Sequence, residues 1–210
     1  MSTSRGLNYS HDAMNAFERA IKRVVDFTSA LIGLILLSPA FLLIAILLKR
    51  QKNGKVIFKQ ERIGYGGEPF TIYKFRTMSS IVEDEGPQLV AKPDKSSSTK
   101  LESYLREHHL DELPQLWNVL KGDMSLVGPR PERQYFIDKI MEHTSDYELI
   151  YEMKPGLTSE ATLYNGYTDT MEKMLKRLEM DIIYLKNRSL WMDMSIICNT
   201  LYNIISGKKF

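Results

Sequence analysis

Between Phe27 and Leu48 the chain runs for 22 residues without a charge, FTSALIGLILLSPAFLLIAILL. No other feature restricts the fold so strongly. A continuous helix of that length, at ~1.5 Å per residue, reaches about 33 Å, enough to cross a hydrocarbon core of roughly 30 Å. A secretory signal is a poor reading. The run begins after 26 residues, exceeds an h-region and carries no small-residue cleavage site.

Two details argue against a plain span. Ser38-Pro39 sits at the midpoint, where proline removes a backbone donor and kinks or breaks a helix. The flanks are basic at both ends, with Lys22 and Arg23 before the run and Lys49, Arg50, Lys52 and Lys55 after it. Positive flanks favour the cytoplasmic side, and one straight span cannot place both there. A helix broken at Ser38-Pro39 can enter and return, each arm of about 11 residues reaching ~16 Å, roughly one leaflet. The serine hydroxyl is then placed to satisfy a carbonyl freed by the proline. A Pro-kinked bitopic helix and a buried core helix are the competing readings; the flanking charges and the proline favour the re-entrant one.

Composition bounds the rest. Among 210 residues, hydrophobic types make up 43% and charged types 26%, ordinary globular values that exclude a disordered chain, a collagen-like fibre and a polytopic bundle. The size fits one domain with a small appendage. Lys and Arg total 28 against 26 Asp and Glu, a net charge of +2, so no whole-protein field for nucleic acid is expected. The single cysteine, Cys198, excludes an intramolecular disulfide and has no partner set for a structural zinc.

Residues 1–14 are polar and read as a flexible N-terminus, and 15–26 as a helix leading into the membrane region 15–55. Residues 56–210 read as a cytosolic domain. Within it, 56–78 carries β-rich runs around Gly64–Gly67 and predicts a hairpin. Residues 79–100 are polar and read as a mobile loop. Helices are expected over 98–108, from Pro114 to Leu120, over 132–151 and over 169–187, with a turn-rich loop at 121–131 and looped or extended chain at 155–168. Apolar residues at 190, 194, 197, 201 and 204/205 share one helical face. An interfacial helix and a helix closing the soluble core fit that stripe equally.

The chemistry concentrates in LREHHLDELPQLWNVLKGDMSLVGPRP, residues 105–131. By composition alone Asp111-Glu112 is an ordinary surface pair. Its context adds something: Pro114 suits a first helical turn, so both carboxylates stand beside a helix N-terminus, where exposed N–H groups favour anions. An ionised Asp is a nucleophile toward phosphorus. Arg130, between two prolines, can present a planar fork to a phosphate. One or two carboxylates plus substrate phosphates is also a magnesium donor set. His108 and His109 read as solvated or locally bonded. No P-loop, GxGxxG, GxSxG or HExxH motif is present.

From Phe17 to Lys209 the chain resembles the small monotopic phosphoglycosyl transferases of the bacterial sugar transferase family. The resemblance rests on KRVVDF leading into the Ser38-Pro39 run, VIFKQERIG, FTIYKFRTM, KPGLT and DIIYLKN, and above all on the long block LDELPQLWNVLKGDMSLVGPRP at 110–131. It implies an enzyme of the bacterial inner membrane, on the cytoplasmic face. Such an enzyme moves a phosphosugar from a UDP-sugar to a polyprenol (undecaprenyl) phosphate, releases UMP and starts assembly of a surface glycan. In the ping-pong mechanism it implies, Asp111 is the nucleophile and covalent carrier, and Glu112 handles a proton in the second step. Mg2+ is the expected cofactor, with Asp111 its protein ligand. Arg130 and Pro129 of GPRP, Arg106, Asp181, Lys74 and Arg76 are the further substrate-binding positions. Ser38 and Pro39 form the membrane helix break.

The chain departs from the family pattern at 155–167, where Ser159-Glu160 replaces Gly-Trp and Tyr167 replaces a donor-side arginine; an unusual donor preference or a different loop geometry is the expectation. A short form is also expected, without a further N-terminal membrane bundle or an appended domain. The expected fold is α+β: a broken membrane helix, interfacial and cytosolic helices and a small β element. Expected partners are the UDP-sugar, the polyprenol phosphate and membrane lipid but no nucleic acid, with a second copy of the chain and downstream glycosyltransferases as further candidates. The competing functional readings are a catalytically silent membrane-anchored scaffold for glycan assembly enzymes and a peripheral lipid-binding module.

Overall fold

The structure is a computed structural model and describes residues 11–51, 54–77, 99–166 and 168–206. Helix α1 (Ala16–Leu36) starts with a reciprocal cap: Asn15 Oδ1 accepts from Glu18 N, and Glu18 Oε2 accepts from Asn15 N, both at 3.0 Å. It ends at Leu37, and α2 (Ser38–Arg50) leaves at 59° to it. The cause of the break is visible. Pro39 has no N–H for Ile35 O, and Ser38 Oγ donates to that carbonyl instead, at 2.8 Å. No single described helix is long and apolar enough to cross a membrane; the bent pair together is.

Residues 11–14 are tied down, not loose. Met14 is fully buried, Asp12 pairs with Arg19 and Arg188, and Ala13 N donates to Leu185 O. The polar composition of this stretch reflects ion pairing to the body, not solvation.

Strands β1 (Ile57–Ile63) and β2 (Pro69–Phe75) form the expected hairpin, in register from Ile57 opposite Phe75 to Ile63 opposite Pro69. Helix α3 (Lys100–Glu107) and α4 (Gln115–Lys121) follow. Residues 78–98, which include most of the stretch read as a mobile loop, lie outside the described residues. The loop expected at 121–131 contains a short strand, β3 (Ser125–Val127), paired in parallel with β4 (Gly156–Thr158). A three-residue strand with a distant partner carries no local periodicity to announce it.

The helix expected over 132–151 is shorter. Helix α5 (Gln134–Met141) stops, and Thr144 Oγ1 accepts from Asp146 N to begin a 3-10 segment, Ser145–Glu152. Capping chemistry at Thr144 outcompetes continuation. The looped or extended chain expected at 155–168 is met by β4, but the stretch also holds α6 (Glu160–Asn165), capped by Ser159 Oγ accepting from Thr162 N at 2.9 Å. Helices α7 (Met171–Asn187) and α8 (Leu190–Ser206) complete the chain. Among the described residues the architecture is therefore mixed: a predominance of helix with two small sheets.

Three apolar clusters hold these parts. The largest gathers Val127, Ile137, Ile140, Met153, Leu185 and Ile196 from β3, α5, α7, α8 and the 3-10 segment. A second sets Ala30 of α1 against Leu116 and Val119 of α4 and Ile72 of β2. The third sets Ile44 and Leu48 of α2 against Phe75 and Leu105. Truncating a fully buried leucine such as Leu48 costs about 2–5 kcal/mol. The arms α1 and α2 are thus fastened to the body on one face. Their other face is exposed and apolar, through Val24, Leu31, Ile32, Ile35, Leu36, Leu42 and Leu43.

Helix α8 turns much of the stripe read from sequence outward. Asp193 and Ile196 face inward, while Trp191, Met194, Leu201, Tyr202 and Ile204 are exposed, Trp191 at 82%. The helix closes the core and also presents an apolar face outward. The basic flank before the apolar run is also not a free one. Lys22 is buried against Asp193, and Arg23 donates to Val119 O and Leu120 O at the end of α4.

Candidate active site

Asp111 and Glu112 lie in a 3-10 turn, Leu110–Glu112, between α3 and α4. Leu110 and Leu113 pack into the third apolar cluster and root the turn. His109 enters it in the left-handed region, φ 54° and ψ 18°, a conformation that costs a non-glycine residue about 1–2 kcal/mol. Pro114 follows as the cap of α4. On that helix Asn118 clamps the hairpin, with Nδ2 donating to Thr71 O at 2.7 Å and Oδ1 accepting from Tyr73 N at 3.2 Å. The carboxylates are thereby set against the end of β2, which supplies Lys74, and the chain just past it, which supplies Thr77.

The two acids have opposite environments. Glu112 Oε1 receives Lys74 Nζ at 2.7 Å and Arg130 Nη2 at 3.1 Å. Burial pushes the Glu112 carboxyl up, but these two cations overcome it and hold the group well below the usual carboxylate range. Asp111, 7% exposed, has Thr77 Oγ1 3.5 Å from its Oδ2. Burial, then the neighbouring Glu112 charge, push its carboxyl up to about 6, against the pull of Lys74 and Arg130. Two adjacent carboxylates thus differ in protonation by environment, one clamped between cations and one raised by burial.

The loop bearing Arg130 is pinned on both sides. Gly128 N donates to Thr158 O, and Gly156 N donates to Pro129 O. Beyond the arginine, Arg62 Nη1 donates to Pro131 O and Ile63 N to Glu132 O. The crossing of β3 and β4 needs glycine on both strands. A Cβ on Gly156 would fall 2.2 Å from Gly128 N, and one on Gly128 would fall 2.3 Å from Lys154 O.

The structure therefore brings Asp111, Glu112, Lys74, Arg130 and Pro129 together. Arg106 stands at the edge, its Nη2 donating to Thr77 O beside Asp111. Asp181 lies in an adjoining cavity that Pro129, Arg130, Glu132, Tyr147 and Arg177 also line. Burial chiefly pushes its carboxyl up to about 7, with Glu132 adding and Arg177 opposing. Arg76 faces away. Buried, it donates to Leu48 O and Lys55 O and lies 3.5 Å from Glu102, holding the end of α2. Tyr167 lies outside the described residues; Glu160 stands in the first turn of α6.

Thr77, Asn118 and Arg62 join the site without being among the expected residues, although they lie inside FTIYKFRTM, the 110–131 block and VIFKQERIG. Both histidines read from sequence as solvated or locally bonded. His108 is as local as expected, with Nδ1 2.9 Å from Tyr104 O. His109 instead sits among the charges of the site: burial lowers its pKa first, and Glu112, Arg130 and Lys74 act on it next.

No group of three or more His, Cys, Asp or Glu is gathered among the described residues, so no all-protein metal cage exists there. One reactive carboxylate beside cations that attract phosphate does suit magnesium, which binds through few carboxylates and substrate phosphates.

Residues 17–207 match the family model described as bacterial sugar transferase. The chain belongs to this family. It is 39% identical over 187 residues to a UDP-N-acetylgalactosamine-undecaprenyl-phosphate N-acetylgalactosaminephosphotransferase of Aeromonas hydrophila, covering 89% of this chain and 44% of that protein. It is 39% identical over 198 residues to a UDP-glucose:undecaprenyl-phosphate glucose-1-phosphate transferase of Klebsiella pneumoniae, covering 93% of this chain and 42% of that protein. A Caulobacter vibrioides protein named for the same glucose-1-phosphate transfer is 39% identical over 188 residues, covering 88% and 70% respectively. This family member thus spans less than half the length of the first two relatives. Every site residue named above falls inside the matched range.

Proposed function

We propose that this protein transfers a phosphosugar from a UDP-sugar to a polyprenol phosphate, of the undecaprenyl type, at the cytoplasmic face of a bacterial membrane. The step initiates surface-glycan assembly. The observation that carries this reading is the pair Asp111-Glu112 with Glu112 Oε1 shared by Lys74 and Arg130. A buried carboxylate nucleophile set beside two phosphate-seeking cations is the equipment for substitution at phosphorus.

In this mechanism a carboxylate oxygen of Asp111 forms a bond to the β-phosphorus of the donor. The bond from that phosphorus to the bridging oxygen breaks, and UMP departs with the electron pair. An oxygen of the polyprenol phosphate then attacks the same phosphorus, forms the diphosphate and frees Asp111 as a carboxylate. Lys74 and Arg130 turn toward the donor phosphates as they bind. Glu112 then loses its cationic partners and rises in basicity, which fits it to accept a proton from a protonated acceptor phosphate. Asp111 is the residue that would hold magnesium, which offsets diphosphate charge when bound. Arg106 supports the site through Thr77.

The membrane reading is a re-entrant insertion of α1 and α2. It is supported by the 59° bend, by the Ser38–Ile35 bond that keeps the break satisfied, and by apolar faces turned away from the body. The exposed face of α8, with Trp191 and Tyr202, suits the interface. A soluble nucleotide sugar and a lipid phosphate can then meet at Asp111.

The test is UMP release by the full chain in nanodiscs with magnesium, undecaprenyl phosphate and a panel of UDP-sugars, beside Asp111→Asn. Release with one donor, abolished in the variant, supports the mechanism and names the sugar. Release untouched by Asp111→Asn removes Asp111 as nucleophile. Absence of release with every donor favours the silent scaffold.

A further inference from the structure

Three buried charges meet where α1 crosses the body. Lys22, Asp26 and Asp193 are each less than a tenth exposed. Lys22 and Asp26 lie one turn apart on the inner face of α1, and both reach β3. Lys22 Nζ donates to Val127 O at 3.0 Å and pairs with Asp193 Oδ2 at 2.6 Å. Asp26 Oδ1 accepts from Leu126 N at 3.0 Å. Asp193 in turn accepts from Tyr184 OH, so α7 and α8 join the cluster. Burying charge is unfavourable, and an apolar contact would fasten a helix as well or better. What a charged pair adds is a fixed partner for particular backbone groups.

Those backbone groups belong to the residues that lead directly into Gly128-Pro129-Arg130. The strand is held by β4 on one side and by the side chains of α1 on another, so its position along α1 sets where the stiff loop begins. We propose that Lys22 and Asp26 are positioning residues for Arg130: by gripping Leu126 N and Val127 O they fix where its guanidinium meets the donor phosphates. This rests on the transfer reaction proposed above. The helix that carries the apolar run is thereby mechanically continuous with the phosphate-binding loop. Misplacement of a substrate-positioning group by about 1 Å can cost on the order of 100-fold in rate.

A double-mutant cycle tests the assignment, using the full chain in nanodiscs and reading both UMP-release kinetics and UDP-sugar affinity. Asp26→Ala is expected to lower kcat/KM by ~10–100-fold. Asp26→Asn, whose amide oxygen still accepts from Leu126 N, is expected to stay within about 3-fold of the parent, because the bond itself is kept. With Arg130→Ala already in place, Asp26→Ala is expected to cost less than about 3-fold, because residues acting as one unit are not additive. Equal losses in both backgrounds, or an Asp26→Asn defect as large as the alanine one, would overturn the positioning role. If Asp26→Ala does not purify folded, Lys22→Met with Asp193→Leu takes its place in the same cycle. A parent that releases no UMP counts against the transfer reaction itself. An active parent with additive variants counts against the positioning role alone.

Discussion

Arg130 Nη2 stands 3.1 Å from Glu112 Oε1, the same oxygen that Lys74 Nζ reaches at 2.7 Å. One carboxylate oxygen thus holds two cations at the place proposed for the donor diphosphate, and Asp111, the proposed nucleophile, directly precedes Glu112 in the chain.

Removing that store has a defined cost. Glu112→Gln leaves Lys74 and Arg130 without their shared anion and is expected to destabilise the fold by about 2–4 kcal/mol. Thermal or denaturant unfolding of the detergent-solubilised chain measures it. UMP release should fall with it, whereas Arg130→Lys should retain stability yet lose ~10-fold or more in kcat/KM, since an ammonium lacks the planar fork.

Asp111 makes activity depend on pH in a definite direction. Its carboxyl is raised to about 6, so the nucleophilic carboxylate is present above that value and is lost as pH falls through it. UMP release at saturating donor is expected to drop about 10-fold for each pH unit below about 6. A flat profile between pH 5 and 7 would remove Asp111 as the titrating nucleophile.

The same shift has a stability consequence of opposite sign to the usual aspartate. The folded value lies above the unfolded one, so the folded state binds the proton more readily. Stability therefore declines as pH rises from the ordinary aspartate range to about 6 and stays lower above it. Asp111→Asn removes the buried charge and is expected to stabilise the protein at pH 7.5 by about 1–3 kcal/mol while abolishing release. Unfolding of parent and variant at pH 7.5 measures the difference.

Gly156→Ala forces a backbone shift, because its Cβ would fall 2.2 Å from Gly128 N. A loss of about 3 kcal/mol or more is expected, on the scale of overpacked sites. Hydrogen exchange over residues 125–130 would show where the strain is released.

Pro39→Ala restores a donor for Ile35 O and removes the ring that opens the bend. The two arms are then expected to straighten toward one span. An accessibility label placed after Leu48 should report the cytoplasmic side in the parent and the opposite side in a measurable fraction of the variant. An outside report from the parent itself would refute re-entrant insertion.

Some of this was legible in the residues. The uncharged run, its break at Ser38-Pro39 and the hairpin at 57–75 depend on local composition and short spacing, and local rules read them. Asp111, Glu112 and Arg130 stand out through the family resemblance, since composition alone makes Asp111-Glu112 an ordinary surface pair. The extent of α5 was misread because a threonine cap ends a helix whose apolar pattern continues. What the residues could not disclose is pairing across the chain. Lys22 reads as a membrane flank and proves to be a buried partner of Asp193 and Val127 O. Arg76 reads as a site residue and holds the end of α2. Glu112 gives no sign in its local sequence of its two partners, Lys74 and Arg130. Side-chain type sets which interactions are available. Only the tertiary structure, by bringing residues far apart in sequence within 3 Å inside a low-dielectric interior, decides which of them are made.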